Sequence, residues 1–386
     1  MGKNINSGNY MQVVPNEMID LFTNLYSNPD TFSKQPTKML WGQPGIGKSQ
    51  AVGELAKHLE AKTHKKVVVT TASLLLMSPI DLRGIPTKDT NADGDMVAKW
   101  LTPEIFKMSD SDKVINILFL DEISAAPPSV QAAAYQICLD KRVGEHKLPE
   151  NCFVIAAGNR VTDKAVAYKM PKPLGNRLTH FEMVCSVEDW KKWAYKHDID
   201  TRIIGFINHD HQYLNMFDTD TDDVAFPTPR SWEMVDTYLK SANDFNSVYS
   251  CIAGSIGLGT ASAFKTYISV YDKLPNWEDI ASGKTTELPK NIATCKPDTM
   301  YALSTLIASR CSEEAKKVNI RNKKQVDAFS VILDNVATFI DSIPRREYVV
   351  LCCKDMFRSN DSEIKNLIFQ SQGFSKLMDE LSDEII

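Results

Sequence analysis

The apolar residues of this chain change rhythm near its middle. In the first half, short apolar runs alternate with stretches whose apolar positions recur every three or four residues. Five runs read as strands: Thr37-Lys38-Met39-Leu40-Trp41, Lys66-Val67-Val68-Val69-Thr70, Ile115-Asn116-Ile117-Leu118-Phe119-Leu120, Cys152-Phe153-Val154-Ile155-Ala156-Ala157 and Thr179-His180-Phe181-Glu182-Met183-Val184. They are nearly continuous rather than alternating, the pattern of parallel strands covered on both faces. Helical spacing predicts helices over 49–59, 73–84 (broken near Pro79 or Gly84) and 127–139. A further helix is predicted over 11–25, with Leu21, Phe22 and Leu25 as its apolar face, followed by a turn at Asn28-Pro29-Asp30. Turn formers at 89–94 between short flanking runs predict a β-hairpin over 85–100, and 141–149 reads as a second, smaller one. Helical pattern resumes at 102–106, with Thr102 as N-cap and Pro103 in the first turn.

Past Ser186 the pattern turns helical throughout. Three parts are expected: an α/β domain over 1–185, a helical lid over 186–285 and a helical C-terminal extension over 286–386. Gly254, Gly257 and Gly259 dot a small-residue stretch that reads as tightly packed helices, and the extension shows no chemistry that can be named.

Composition narrows the class without naming it. The 386 residues are 43% hydrophobic and 24% charged, ordinary for a soluble globular protein. A net charge of −5 disfavours a protein whose main business is gripping nucleic acid. The basic cluster Lys316, Lys317, Arg321, Lys323 and Lys324 reads as a solvated face. The polar amino terminus carries no signal-peptide core, and no run is long and apolar enough for a bilayer span. The eight cysteines form no CxxC pair and have no histidine at zinc spacing, so buried thiols in a reducing, cytoplasmic compartment are expected.

The chemistry centres on Trp41-Gly42-Gln43-Pro44-Gly45-Ile46-Gly47-Lys48-Ser49, which fits the phosphate-loop pattern. Gly42 and Gly47 permit turns that side chains would block. The loop N–H groups can then cradle phosphates, and the following helix presents its positive end to them. Lys48 supplies a cation for the β- and γ-phosphates, and the Ser49 hydroxyl is a ligand for Mg²⁺. A chance glycine-rich turn is the alternative, but a strand before and a helix after supply the context the motif requires. The candidate nucleotide site is therefore Gly42, Gln43, Pro44, Gly45, Ile46, Gly47, Lys48, Ser49 and Gln50, binding ATP with Mg²⁺.

The strand at 115–120 ends in Asp121-Glu122. In a parallel sheet, ligands sit at the carboxyl ends of strands, which brings these acids beside the loop. Asp121 would hold Mg²⁺, and Glu122 would orient and activate the attacking water. A solvated strand end is the plainer reading, and the phosphate loop upstream outweighs it. Asn159 closes the next strand, where its amide can reach the water or a phosphate; a turn-capping role is the alternative. Arg230 opens a helix at Pro229-Arg230, where a cation opposes the helix dipole, a hint of an external anion.

Taken in order, the phosphate loop, Asp121-Glu122, Asn159, Asn176-Arg177 and Pro229-Arg230 resemble the AAA+ ATPases. Leu120-Asp121-Glu122-Ile123-Ser124-Ala125-Ala126-Pro127-Pro128, then Arg142-Val143 and Val154-Ile155-Ala156-Ala157-Gly158-Asn159, resemble the MoxR-type branch, which is marked by hairpins where 85–100 and 141–149 fall. The resemblance covers roughly residues 11–270. It implies an α/β fold with a parallel sheet sandwiched by helices, and a ring, usually a hexamer, with ATP at subunit interfaces. It also implies roles: Asn159 as sensor 1, Arg177 as the finger reaching the neighbour's γ-phosphate, with Arg160 as its rival, and Arg230 as the sensor 2 arginine acting in cis. The implied work is remodelling of a protein partner, often one with a von Willebrand factor A domain. The runner-up is a ring motor on nucleic acid; a nucleotide-gated scaffold and a small-molecule kinase explain fewer of the motifs.

Overall fold

The computed structural model describes residues 10–28, 34–160, 163, 168, 170–292, 294, 296–358 and 362–381. The expected turn at Pro29-Asp30 and the thiol of Cys295 lie outside the described residues. Two compact units are present: Met1–Ser186 with Asp218–Asp222, and Val187–Phe217 with Asp223–Ile386.

The first unit is built on a six-stranded, all-parallel sheet in the order β1-β10-β2-β9-β6-β3. Its strands are β1 (Met11–Val13), β2 (Lys38–Trp41), β3 (Lys66–Ser73), β6 (Val114–Asp121), β9 (Cys152–Gly158) and β10 (Thr179–Met183). Successive side chains go to opposite faces. Leu40, Ile117, Phe119, Phe153 and Ile155 meet the helices Pro15–Tyr26 and Lys48–Thr63 on one face. Met39, Leu118, Leu120, Val154 and Ala156 meet Leu82 and the helix Pro128–Asp140 on the other. This is the α/β architecture that the alternating runs imply and that the resemblance to AAA+ ATPases leads one to expect, a parallel sheet between helices followed by a helical C-terminal region.

Two antiparallel hairpins project from it: β4 (Pro86–Thr90) with β5 (Met96–Trp100), and β7 (Arg142–Val143) with β8 (His146–Lys147). The first leaves the chain at Gly84, where φ is +85° and an added Cβ would sit 1.9 Å from the Leu101 carbonyl. Only glycine lets the two stems approach that closely.

Several expected boundaries move. Met11–Val13 is an edge strand against β10, not the first turn of a helix. Pro15 disfavours helical torsions at Val14, so the helix starts at Pro15. Its buried face is Met18, Ile19, Phe22 and Tyr26, with Leu21 exposed. The helix expected over 73–84 is broken up. Ser73 completes β3, Leu74–Leu76 is a 3₁₀ turn, and a short helix Pro79–Arg83 starts only after Ser78 accepts the capping role. At 102–106 there is a single 3₁₀ turn, Glu104–Phe106, preceded by Pro103 rather than capped by Thr102.

The second unit is helical. Lys191 Nζ donates to Asn208 Oδ1 at 2.7 Å and to Asp355 Oδ1 at 3.0 Å. Asp355 also accepts from Ser304 Oγ at 2.8 Å and Asn208 Nδ2 at 3.1 Å. This buried network ties together the helices Val187–Lys196, Thr201–His209, Pro297–Lys316 and Arg346–Arg358. The glycine-dotted stretch forms the helices Phe245–Ile256 and Leu258–Tyr271, but space around Gly254 and Gly259 is open, so neither glycine is there for close packing. In the basic cluster, Lys316 pairs with Asp198 and Lys317 with Glu314, both at the surface. Among the described residues no helix is long and apolar enough to cross a membrane.

Candidate nucleotide site

The loop between β2 and the helix Lys48–Thr63 sits at the carboxyl edge of the sheet. Its shape depends on glycines. Gly45 and Gly47 have φ of +78° and +92°. A Cβ on Gly42 would meet Ile46 Cδ1 at 2.6 Å and the Met183 carbonyl at 2.8 Å. Ile46 is buried and anchors the loop from beneath, while Gln43, Pro44, Ser49 and Gln50 stay partly or fully exposed around it.

Lys48 Nζ donates to the carbonyls of Gly42 at 2.7 Å and Gln43 at 2.9 Å, and to Asn159 Oδ1 at 3.1 Å. The loop lysine and the amide from the end of β9 therefore meet over the loop. Asn159 is itself held by its backbone N–H, which donates to Ser124 Oγ at 3.0 Å. Ser49 Oγ donates to Asp121 Oδ2 at 2.8 Å. That pairs the loop hydroxyl with the first acid at the end of β6.

Glu122 stands just beyond, with φ of +57°. A left-handed backbone at a non-glycine residue costs about 1–3 kcal/mol and clusters at functional sites. Ser73 Oγ, at the end of β3, donates to Glu122 Oε2 at 3.2 Å, and the register places Ser73 opposite Asp121. Ser73 and Ser124 escape the sequence reading. The signal available for Ser73 is a hydroxyl closing a β-branched run, beside the strand that ends in the acid pair.

The residues present fit Mg·ATP. Ser49 and Asp121 are hard oxygen donors in contact, the kind Mg²⁺ takes, alongside phosphate oxygens and water. Lys48 and the loop N–H groups suit the phosphates themselves. Among the described residues no group of three or more His, Cys, Asp or Glu could hold a metal ion.

The two candidate finger arginines are placed differently. Arg160 donates to Asp163 Oδ1 through Nε at 3.0 Å and pairs with Glu182, so its guanidinium is engaged within the same chain. Glu182 also accepts weakly from Gln12 Nε2, at 3.5 Å. Arg177 is exposed in the turn before β10, at the amino edge of the sheet, where Thr179 pairs with Lys38. Four residues of extended chain, about 13 Å, separate that edge from the loop. A cavity of about 460 Å³ there is lined by Arg177 with Lys34, Lys141 and Lys147, and by Asp140 and Glu150. Burial lowers the pKa of Lys38 and Lys141 below the usual lysine value, and Lys141 adds its charge against Lys38. Arg230 belongs to the second unit. It is exposed in the first turn of the helix Pro229–Ser241, whose N-cap Thr228 accepts from the Ser231 N–H at 3.1 Å.

Residues 38–180 match the model of the ATPase family associated with various cellular activities (AAA). No curated protein matches the chain at a significant level. Solved structures that are similar include the Holliday junction branch migration motor RuvB of Thermotoga maritima, at 16% identity over 70% of this chain and 74% of that one, with a TM-score of 0.35. PCH-2 of C. elegans is 15% identical over 68% of this chain and 63% of its own, TM-score 0.31. A chain of the HORMA:CdnC:Trip13 complex of E. coli MS115-1 is 11% identical over 66% and 88%, TM-score 0.36. The first unit carries an AAA-type ATPase domain. Its phosphate loop, facing an acid pair at the carboxyl edge of a parallel sheet, makes it an ATP-hydrolysing enzyme.

Proposed function

We propose that this chain is a MoxR-like AAA+ ATPase. It hydrolyses Mg·ATP at the interfaces of a ring, of six subunits by family analogy, and uses the energy to remodel or activate a protein partner. A protein with a von Willebrand factor A domain is the partner class we favour, engaged through the hairpins. The free cysteines suit a reducing, cytoplasmic setting.

In this reading Lys48 exchanges its contacts with the loop carbonyls for the β- and γ-phosphates. Asp121 and Ser49 would hold Mg²⁺, which would supply charge neutralisation for the phosphates. Glu122 orients the attacking water, and Asn159 fixes it against the γ-phosphate. Arg230 reads the nucleotide for the helical unit in cis. Arg177 completes the site of the neighbouring subunit. The observation that carries the reading is the division of labour across one sheet. Loop lysine, amide and acids gather at the carboxyl edge, while the exposed finger candidate Arg177 stands at the amino edge, about four strand residues from its own loop.

The test is complementation. Glu122→Gln should keep ATP binding and lose turnover about 10²-fold, the usual contribution of a positioned base. Arg177→Ala should be similarly inactive, since a finger in trans contributes about 10³-fold or more. Mixed, the two should recover activity, because one interface then has both groups intact. Mixing that restores nothing, or Glu122→Gln with wild-type turnover, would overturn the reading.

A further inference from the structure

Trp41 is the last residue of β2 before Gly42 and the phosphate loop. Its indole Nε1 donates to His180 Nδ1 at 2.9 Å. The other imidazole nitrogen, Nε2, lies 2.7 Å from the Gly175 carbonyl. A carbonyl can only accept and an indole N–H can only donate, so the ring has one consistent tautomer: Nε2–H donates to Gly175 and Nδ1 accepts from Trp41. Tyr10 stacks on both rings, at 5.8 Å from Trp41 and 5.1 Å from His180, nearly parallel to each.

The Gly175 carbonyl is also the closing acceptor of a tight turn. It takes the Leu178 N–H at 3.1 Å, and the two residues enclosed are Asn176 and Arg177. One oxygen thus fixes the turn that presents Arg177 and receives the ring that is hydrogen-bonded to the phosphate-loop strand. The chain Gly42–Trp41–His180–Gly175–Arg177 joins the two edges of the sheet within one subunit.

We infer that His180 is a positioning residue for ATP hydrolysis: it holds the turn that presents Arg177 to the neighbouring subunit and ties that turn to the phosphate loop through Trp41. The inference rests on Arg177 acting in trans. When His180 is lost, only one half of the composite site fails. The subunit's own loop, Lys48 and acids stay sound, while the finger it offers its neighbour is misplaced.

Subunit mixing separates these cases. His180→Ala should bind a fluorescent ATP analogue as the unaltered protein does and lose kcat about tenfold or more, with KM within about twofold. Mixed with Glu122→Gln, it should recover activity, because Glu122→Gln supplies a sound finger to the sound loop of His180→Ala. Mixed with Arg177→Ala it should recover nothing, since both lack a working finger. The opposite result, rescue by Arg177→Ala and not by Glu122→Gln, would place the defect on the loop side and overturn the proposal while leaving the finger reading intact. Failure of the control pair, Arg177→Ala with Glu122→Gln, would remove the finger reading and this inference together. Two further variants guard against a folding defect. His180→Gln can place an N–H at the Nε2 position for Gly175, whereas the shorter His180→Asn can offer its Oδ1 to Trp41 but its N–H falls short of Gly175. The inference requires His180→Gln to retain more kcat than His180→Asn; equal loss in both would mean that the bond to Gly175 carries nothing.

Discussion

Removing the Ser73 hydroxyl should weaken catalysis without weakening binding. Ser73 donates to Glu122 Oε2 at 3.2 Å, a contact that helps to fix where the carboxylate points. Hydrogen bonds to charged groups contribute about 1.5–3 kcal/mol. This one is long and only partly buried, so the lower end, about 1.5 kcal/mol, is appropriate. At about 1.4 kcal/mol per decade of rate, Ser73→Ala should lower kcat about tenfold. KM for ATP should hold, because the loop, Lys48 and the Ser49–Asp121 contact are untouched. Steady-state phosphate release at saturating and limiting ATP separates the two parameters, and Ser73→Thr, which keeps the hydroxyl, should stay near the unaltered rate. The two residues should also be coupled: in a Glu122→Gln background, adding Ser73→Ala should cost less than about threefold more. A full tenfold loss in that background would show that Ser73 works through something other than Glu122. So would a loss confined to KM.

Two predictions concern stability. Asp355→Ala leaves the Lys191 ammonium buried without its carboxylate, and breaking such a pair costs about 3–5 kcal/mol, readable as a lower urea midpoint for the helical unit. Burial pushes the thiols of Cys138, Cys152, Cys185 and Cys353 up to about 12. Their unfolded value is about 8.5, so above that pH the unfolded chain releases protons that the folded chain keeps. Stability should therefore fall as pH rises from about 8.5 toward 12, and a flat denaturation midpoint across that window would contradict the burial of these groups.

Much of the first unit could be read from the chain because its signals are local. Five of the six sheet strands are apolar runs, and the residues that carry the chemistry stand at their ends. What could not be read depends on partners far away in sequence. Met11–Val13 is a strand only because β10 offers it an edge, and three residues carry no period of their own. Ser73 looked like the start of a helix, since Leu74-Leu75-Leu76 follows it. Pairing with Asp121 on β6 extends the strand to include it, and Pro79 delays the helix. Trp41 and His180 each read as ordinary sheet residues. Their contact joins positions 139 apart, and no spacing rule marks it.

The helical unit shows the same limit more strongly. Periodicity finds the apolar face of each helix but does not say which faces meet. Lys191 and Asp355 are 164 residues apart, and neither stands out in a sequence that is one quarter charged. Once buried, their pairing discriminates sharply. A well-made buried ion pair adds little over apolar packing, whereas either charge alone in the core costs several kcal/mol. Ser304 and Asn208 complete the donor set around the Asp355 carboxylate, so the four helices that carry these residues have few alternative packings that keep the network whole. Any arrangement that draws Val187–Lys196 away from Arg346–Arg358 must leave a charge stranded. Val187–Lys196, Thr201–His209, Pro297–Lys316 and Arg346–Arg358 are therefore bound to fold as one body, although they are spread over residues 187–358 of the chain.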